Sequence, residues 1–67
     1  MTIREGDEVR FIVDVTGIRG TNVPAGTVGT VVDDVHAPGQ YAVDVEVDGR
    51  FDNVAVSGDQ VEPVAVG

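Results

Sequence analysis

Tyr41-Ala42-Val43-Asp44-Val45-Glu46-Val47-Asp48-Gly49-Arg50-Phe51-Asp52-Asn53-Val54-Ala55-Val56 is the stretch on which the fold turns. Tyr41, Val43, Val45 and Val47 alternate with Ala42, Asp44, Glu46 and Asp48, the period of two that sends successive side chains to opposite faces of a strand. One face is therefore buried and the other wet. Asp48-Gly49 follows, a dipeptide suited to a tight hairpin turn, so the chain returns antiparallel through residues 50–56. Two registers are open. A two-residue loop pairs Val47 with Arg50 and sets Phe51 beside Glu46 on the wet face. A three-residue loop with a glycine bulge pairs Glu46 with Arg50 and Val45 with Phe51. The second is expected, because it buries a phenylalanine and opposes unlike charges, at the cost of Asp44 facing Asp52.

Working outward, residues 8–15 read as a first strand with Val9, Phe11, Val13 and Val15 on one face and Arg10, Ile12 and Asp14 on the other. Residues 16–26 form a glycine-punctuated loop, too long for a tight hairpin and of a length that is more often functional than shorter loops are. Residues 27–35 form a second strand whose alternation is broken by adjacent Val31 and Val32 and by Gly29 within it. A bulge or sharp bend at Gly29 is expected. Pro38-Gly39 turns the chain into the strand that begins at Tyr41. After the hairpin, residues 57–60 suit a single 3₁₀ turn, and Val61-Glu62-Pro63-Val64 forms a short last strand confined by its proline to an edge or a strand end. Five short strands emerge in one domain, residues 1–67, with 65–67 as a frayed tail.

Composition points the same way. Sixteen valines, three isoleucines and no leucine suit pleated strands rather than helices. A chain of 67 residues buries only about 60% of its unfolded surface, and no cysteine is present to brace the core. The absence of any run near ~18 apolar residues, and of a basic start followed by an apolar stretch, leads to the expectation of a soluble cytoplasmic protein without a membrane partner. Twelve Asp and Glu against four Arg and no Lys give a net charge of −8, which disfavours nucleic acid as a partner. The acidity has two open explanations: solubility or adaptation to salt, and docking to a basic surface.

Taken together, Gly6-Asp7-x-Val9, the long loop, Gly26-x-x-Gly29-x-Val31, Tyr41-x-Val43-x-Val45 and Asp59-Gln60-Val61-x-Pro63-Val64 resemble the small SH3-like barrels over nearly the whole chain. The likeness extends to KOW-type domains of ribosome- and transcription-associated proteins, and to the barrel group that includes the nitrile hydratase β-subunit. Short bacterial domains of the same pattern are also similar. The resemblance implies an all-β, five-stranded SH3-like barrel with a long loop between its first two strands. Its relatives imply an accessory or regulatory subunit of a metalloenzyme or redox complex, or an RNA- or ribosome-associated domain. RNA recognition by KOW-type domains uses basic and aromatic residues, whereas the corresponding loops here carry Arg19 and Arg50 among acids. A plasmid-borne dihydrofolate reductase built of such barrels has a segment like Tyr41-Ala42-Val43, but its catalytic lysine and Gln-Ile-Tyr run have no counterpart in Phe51-Asp52-Asn53-Val54-Ala55-Val56.

Reactive chemistry finds little support. Asp33, Asp34 and His36 are one group to weigh as metal ligands, and a single histidine with two carboxylates in a turn is more readily explained as solvated. Asp44-x-Glu46-x-Asp48-Gly49 opens like a calcium loop, but the twelfth position is Ala55 and flanking helices are excluded by the alternating valines. No nucleophile is paired with a base, and the Gly17-x-x-Gly20 and Gly26-x-x-Gly29 spacings lack the helix and cations of a phosphate cradle. A non-catalytic domain without cofactor is expected. Its contact surface is the long loop with Ile18, Arg19, Val23 and Pro24, completed by Tyr41, and its partner is a protein or a second copy of the chain. The competing expectation for Ile18 and Val23 is that both fold back over the end of the core.

Overall fold

The computed structural model describes residues 3–33 and 39–64. They are all-β and contain no helix, so none is long and apolar enough to cross a membrane. Seven strands follow in order: β1 (Glu8–Phe11), β2 (Val15–Thr16), β3 (Asn22–Val23), β4 (Val28–Asp33), β5 (Gln40–Val47), β6 (Arg50–Ser57) and β7 (Val61–Pro63). Five of them form one antiparallel sheet in the order β6-β5-β4-β1-β7, and β2 pairs with β3 in a separate two-stranded sheet. The five stretches read as strands each contain one strand of the large sheet. The two further strands form a hairpin of their own, which begins at Val15, the last residue of the stretch read as the first strand, and otherwise lies in the long loop. Among the described residues no ladder joins β6 to β7, so the hydrogen-bonded sheet does not close into a barrel.

The β5–β6 hairpin takes the register that was not expected. Val47 lies opposite Arg50, Glu46 opposite Phe51, Val45 opposite Asp52 and Asp44 opposite Asn53. Turn chemistry decides this. Asp48 and Gly49 both adopt positive φ, 52° and 79°, the conformation of a two-residue turn whose twist matches the flanking strands. Phe51 is consequently 70% exposed, while Asp52 points inward with Val54 and Val56.

The first strand is shorter than its alternation suggests. β1 ends at Phe11, where the ladder continues through the Phe11 N–H to the Thr27 carbonyl (2.9 Å) and the Gly26 N–H to the Phe11 carbonyl (2.7 Å). The chain then bends, leaving Ile12 and Val13 exposed rather than placing Val13 in the core. The irregularity of β4 also differs from expectation. The bulge falls between Val31 and Asp33, so that Val32 is the extra residue and turns outward. Gly29 instead keeps regular pairing with Val9 and permits a close approach: a Cβ there would stand 2.6 Å from the Asp44 carbonyl oxygen and 2.6 Å from Val43 Cγ1. The turn after β6 spans the four residues expected and is closed by the Gln60 N–H on the Ser57 carbonyl at 3.0 Å, the i→i+3 bond of a single 3₁₀-type turn.

Ile3, Val9, Phe11, Val23, Val31, Val43, Val45, Val54, Val56 and Val61 form the core, with Val15, Tyr41 and Val47 packed against it. Eight of those ten are valines, whose stiff χ1 leaves little rotamer freedom to lose on packing. Full burial of such a side chain stabilises by about 1.5–3 kcal/mol relative to exposure. The core lies on the inner face of the large sheet, and Val23 brings the β2–β3 hairpin onto it.

Candidate functional site

Position 52 organises the surface around it. Asp52 is 5% exposed, and its carboxylate accepts the Arg19 N–H at 3.1 Å on each oxygen, the Thr21 N–H at 3.1 Å on Oδ2 and its neighbour Asn53's N–H at 2.7 Å on Oδ1. The Thr21 hydroxyl donates to it as well. Burial by itself raises the carboxyl pKa. The N–H of Asn53, then that of Arg19, then the hydroxyl and N–H of Thr21 outweigh burial and hold the group below the usual aspartate value. Asp52 is thus ionised at neutral pH, with its charge stabilised by backbone donors rather than by a cation.

Gly17 is what lets this carboxylate reach the hairpin tip. A Cβ on Gly17 would overlap the Asp52 carboxylate itself, so no other residue fits without displacing it. The tip is closed internally by the Gly17 N–H on the Thr21 carbonyl (2.8 Å) and the Gly20 N–H on the Gly17 carbonyl (2.9 Å). A further bond, from the Ile18 N–H to the Asn53 carbonyl (2.8 Å), ties the tip to the outer edge of β6. The excursion between β1 and β4 is therefore a fixed hairpin whose backbone is anchored on β6.

Anchoring of the backbone sets two side chains outward above the same spot. Ile18 is 73% exposed and Phe51 70% exposed, and together with Arg19, Asp44, Val45, Asp52 and Asn53 they line a cleft of about 220 Å³. This is smaller than the ~300–1,000 Å³ of small-molecule and cofactor sites, and it offers room for a side chain or two. The Asn53 side-chain amide donates to Asp44 Oδ1 at 2.8 Å, which fixes that carboxylate at the cleft's edge.

The structure distributes the sequence-predicted site residues unevenly. Ile18 and Arg19 are both at the cleft. Val23 is fully buried in the core, so its side chain is unavailable to a partner, and the fold-back expectation describes Val23 but not Ile18. Pro24 is exposed in the following turn, where its carbonyl accepts the Thr27 hydroxyl at 2.7 Å, and it does not line the cleft. Tyr41 is half-buried against the core, three residues along β5 from Asp44, and lines a different depression with Asp33 and Ala55. Asp34 and His36 lie outside the described residues, and among the described residues no three His, Asp or Glu side chains gather as a metal-ligand group. Sequence reasoning missed Phe51 and Asp52. The signal was present: extending the Val54 and Val56 alternation backward puts 52 inside and 51 outside.

Comparison with protein-family models, with curated proteins and with solved structures gives no match.

Proposed function

We propose that this chain is a non-catalytic protein-interaction domain of SH3-like arrangement whose contact surface is the cleft between the β2–β3 hairpin tip and the start of β6. The SH3-like reading is supported by the strand order, in which β1, β4, β5 and β6 neighbour one another in sequence order and β7 returns beside β1. The excursion between the first two strands of the large sheet and the tight approach at Gly29 support it too.

One observation carries the functional reading. Two large apolar side chains, from segments 33 residues apart, are held outward over one cleft, Ile18 by the hydrogen bonds of its hairpin tip to Asp52 and Asn53 and Phe51 by the β5–β6 register. Isolated exposed apolar residues need no explanation, but a rigidly mounted apolar pair beside a cation and a carboxylate is the make-up of an anchoring spot at an interface. A role as accessory subunit of a larger assembly, which the resemblance implies, would engage the same surface.

The test is affinity capture from a lysate of the protein's own cells with the whole chain as bait, quantified against an Ile18→Ser/Phe51→Ser variant. Both side chains are exposed, so the variant retains the fold, as circular dichroism and thermal melting will report. Proteins held by the wild type are expected to be lost from the variant. Equal capture by both baits would remove the cleft from consideration.

A further inference from the structure

Resting on the reading of this cleft as a docking surface, we infer that its occupant is a basic side chain, Lys or Arg, presented by a partner polypeptide next to an apolar residue. The apolar part lies between Ile18 and Phe51, and the cationic head is directed to Asp44 and Glu46.

Size is the first argument. About 220 Å³ admits a protruding side chain rather than a cofactor, which points to a polypeptide occupant. Charge is the second. In the β5–β6 ladder, Glu46 stands directly across from Phe51 and Asp44 across from Asn53. The outward-facing Asn53 carbonyl, bonded to Ile18, shows that 51 and 53 lie at the non-hydrogen-bonded positions, where cross-strand side chains are closest. Two carboxylates therefore flank the exposed ring. Asp44 is oriented by the Asn53 amide through Oδ1, which leaves Oδ2 for a ligand. Asp52, by contrast, is committed to the hairpin backbone.

Polarity within the cleft is the third argument. Arg19 stands beside Ile18 at the hairpin tip, while Asp44 and Glu46 are on β5. A guest cation is repelled from the Arg19 side and attracted to the β5 side, so the charges orient it as well as bind it. An aliphatic stem across the Phe51 ring with the charged head beyond it is the disposition that long basic side chains favour, and the ring face itself attracts a cation. A net charge of −8 steers such a partner from a distance.

The decisive experiment selects from a random peptide display library on the whole chain, with the Ile18→Ser/Phe51→Ser variant as the subtractive control, at low ionic strength. Enrichment of peptides with Lys or Arg beside an apolar residue is expected. Their affinity is expected to fall about two- to fivefold for each of Asp44→Asn and Glu46→Gln, the effect of one exposed charge pair, and to weaken with added salt. Enriched peptides that are acidic or neutral, or affinities indifferent to both substitutions, overturn the inference while the docking reading stands. No enrichment over the control overturns both. Sedimentation supplies a last arm: self-association of the wild type that the variant abolishes identifies a second copy as the occupant and likewise overturns the inference.

Discussion

Asp52 shows how a single side chain can set the geometry of a whole surface. A carboxylate 5% exposed is tolerated because four donors from three residues surround it, and all but the N–H of its neighbour Asn53 belong to a hairpin more than thirty residues away in sequence. Its depressed pKa has a defined consequence for stability. A group whose folded pKa lies below its unfolded value, here the ordinary 3.8, contributes stability that is complete above the unfolded pKa and is lost as pH falls through the folded one. Acid titration of the folded chain is therefore expected to loosen the hairpin below pH 3.8, seen as amide exchange at Arg19 and Thr21 rising before that of Val43 and Val54. Asp52→Asn is expected to lower the melting temperature at neutral pH and to flatten the acid dependence in that window, because an amide nitrogen would face the Arg19 and Thr21 donors. Unchanged exchange at Arg19 and Thr21 down to the global transition would contradict this role of the Asp52 carboxylate.

The elements around this residue are governed by turn chemistry and close approach more than by hydrophobic pattern. Phe51 would gain from burial, yet the Asp48-Gly49 turn and the inward Asp52 impose the register that exposes it. In β4, the close contact with Asp44 and Val43 makes position 29 intolerant of any side chain. Gly29→Ala is expected to destabilise by about 1–3 kcal/mol, the range for overpacking a core, which in a domain of this size lowers Tm by at least about 4 °C. Chemical denaturation with an unchanged m-value checks it. A neutral result would mean that β4 and β5 separate more readily than their packing indicates.

For the molecule as a whole, charge is the dominant unspent term. Twelve acids against four arginines give a net charge of −8, and Arg10 is paired with Glu62 at 3.1 Å. The described fold is collapsed, with a radius of gyration of 10.8 Å against about 11 Å expected for its length, so these charges lie within a body 29 × 29 × 18 Å across. At ~0.01 M salt the screening length, about 30 Å, spans that body, whereas at ~1 M it is about 3 Å. Raising sodium chloride over this range is expected to raise Tm by about 4–8 °C, equivalent to about 1 kcal/mol of relieved repulsion. A flat or falling Tm would show that the acids are placed where they do not repel one another.

The chain's own residues were enough to read the β class, the absence of helix among the described residues, the positions of the five strands of the large sheet and the Asp48-Gly49 hairpin. Each of these follows from local quantities: period-two alternation, valine's branched Cβ, turn dipeptides and glycine punctuation. What residues alone did not convey was the hairpin from Val15 to Val23, the bulge at Val32, the outward Phe51 and the buried Asp52. Those depend on which donors and which side chains meet from distant parts of the chain. A carboxylate's burial is favourable only once the Arg19 and Thr21 donors have been folded over it, and no stretch near position 52 contains them.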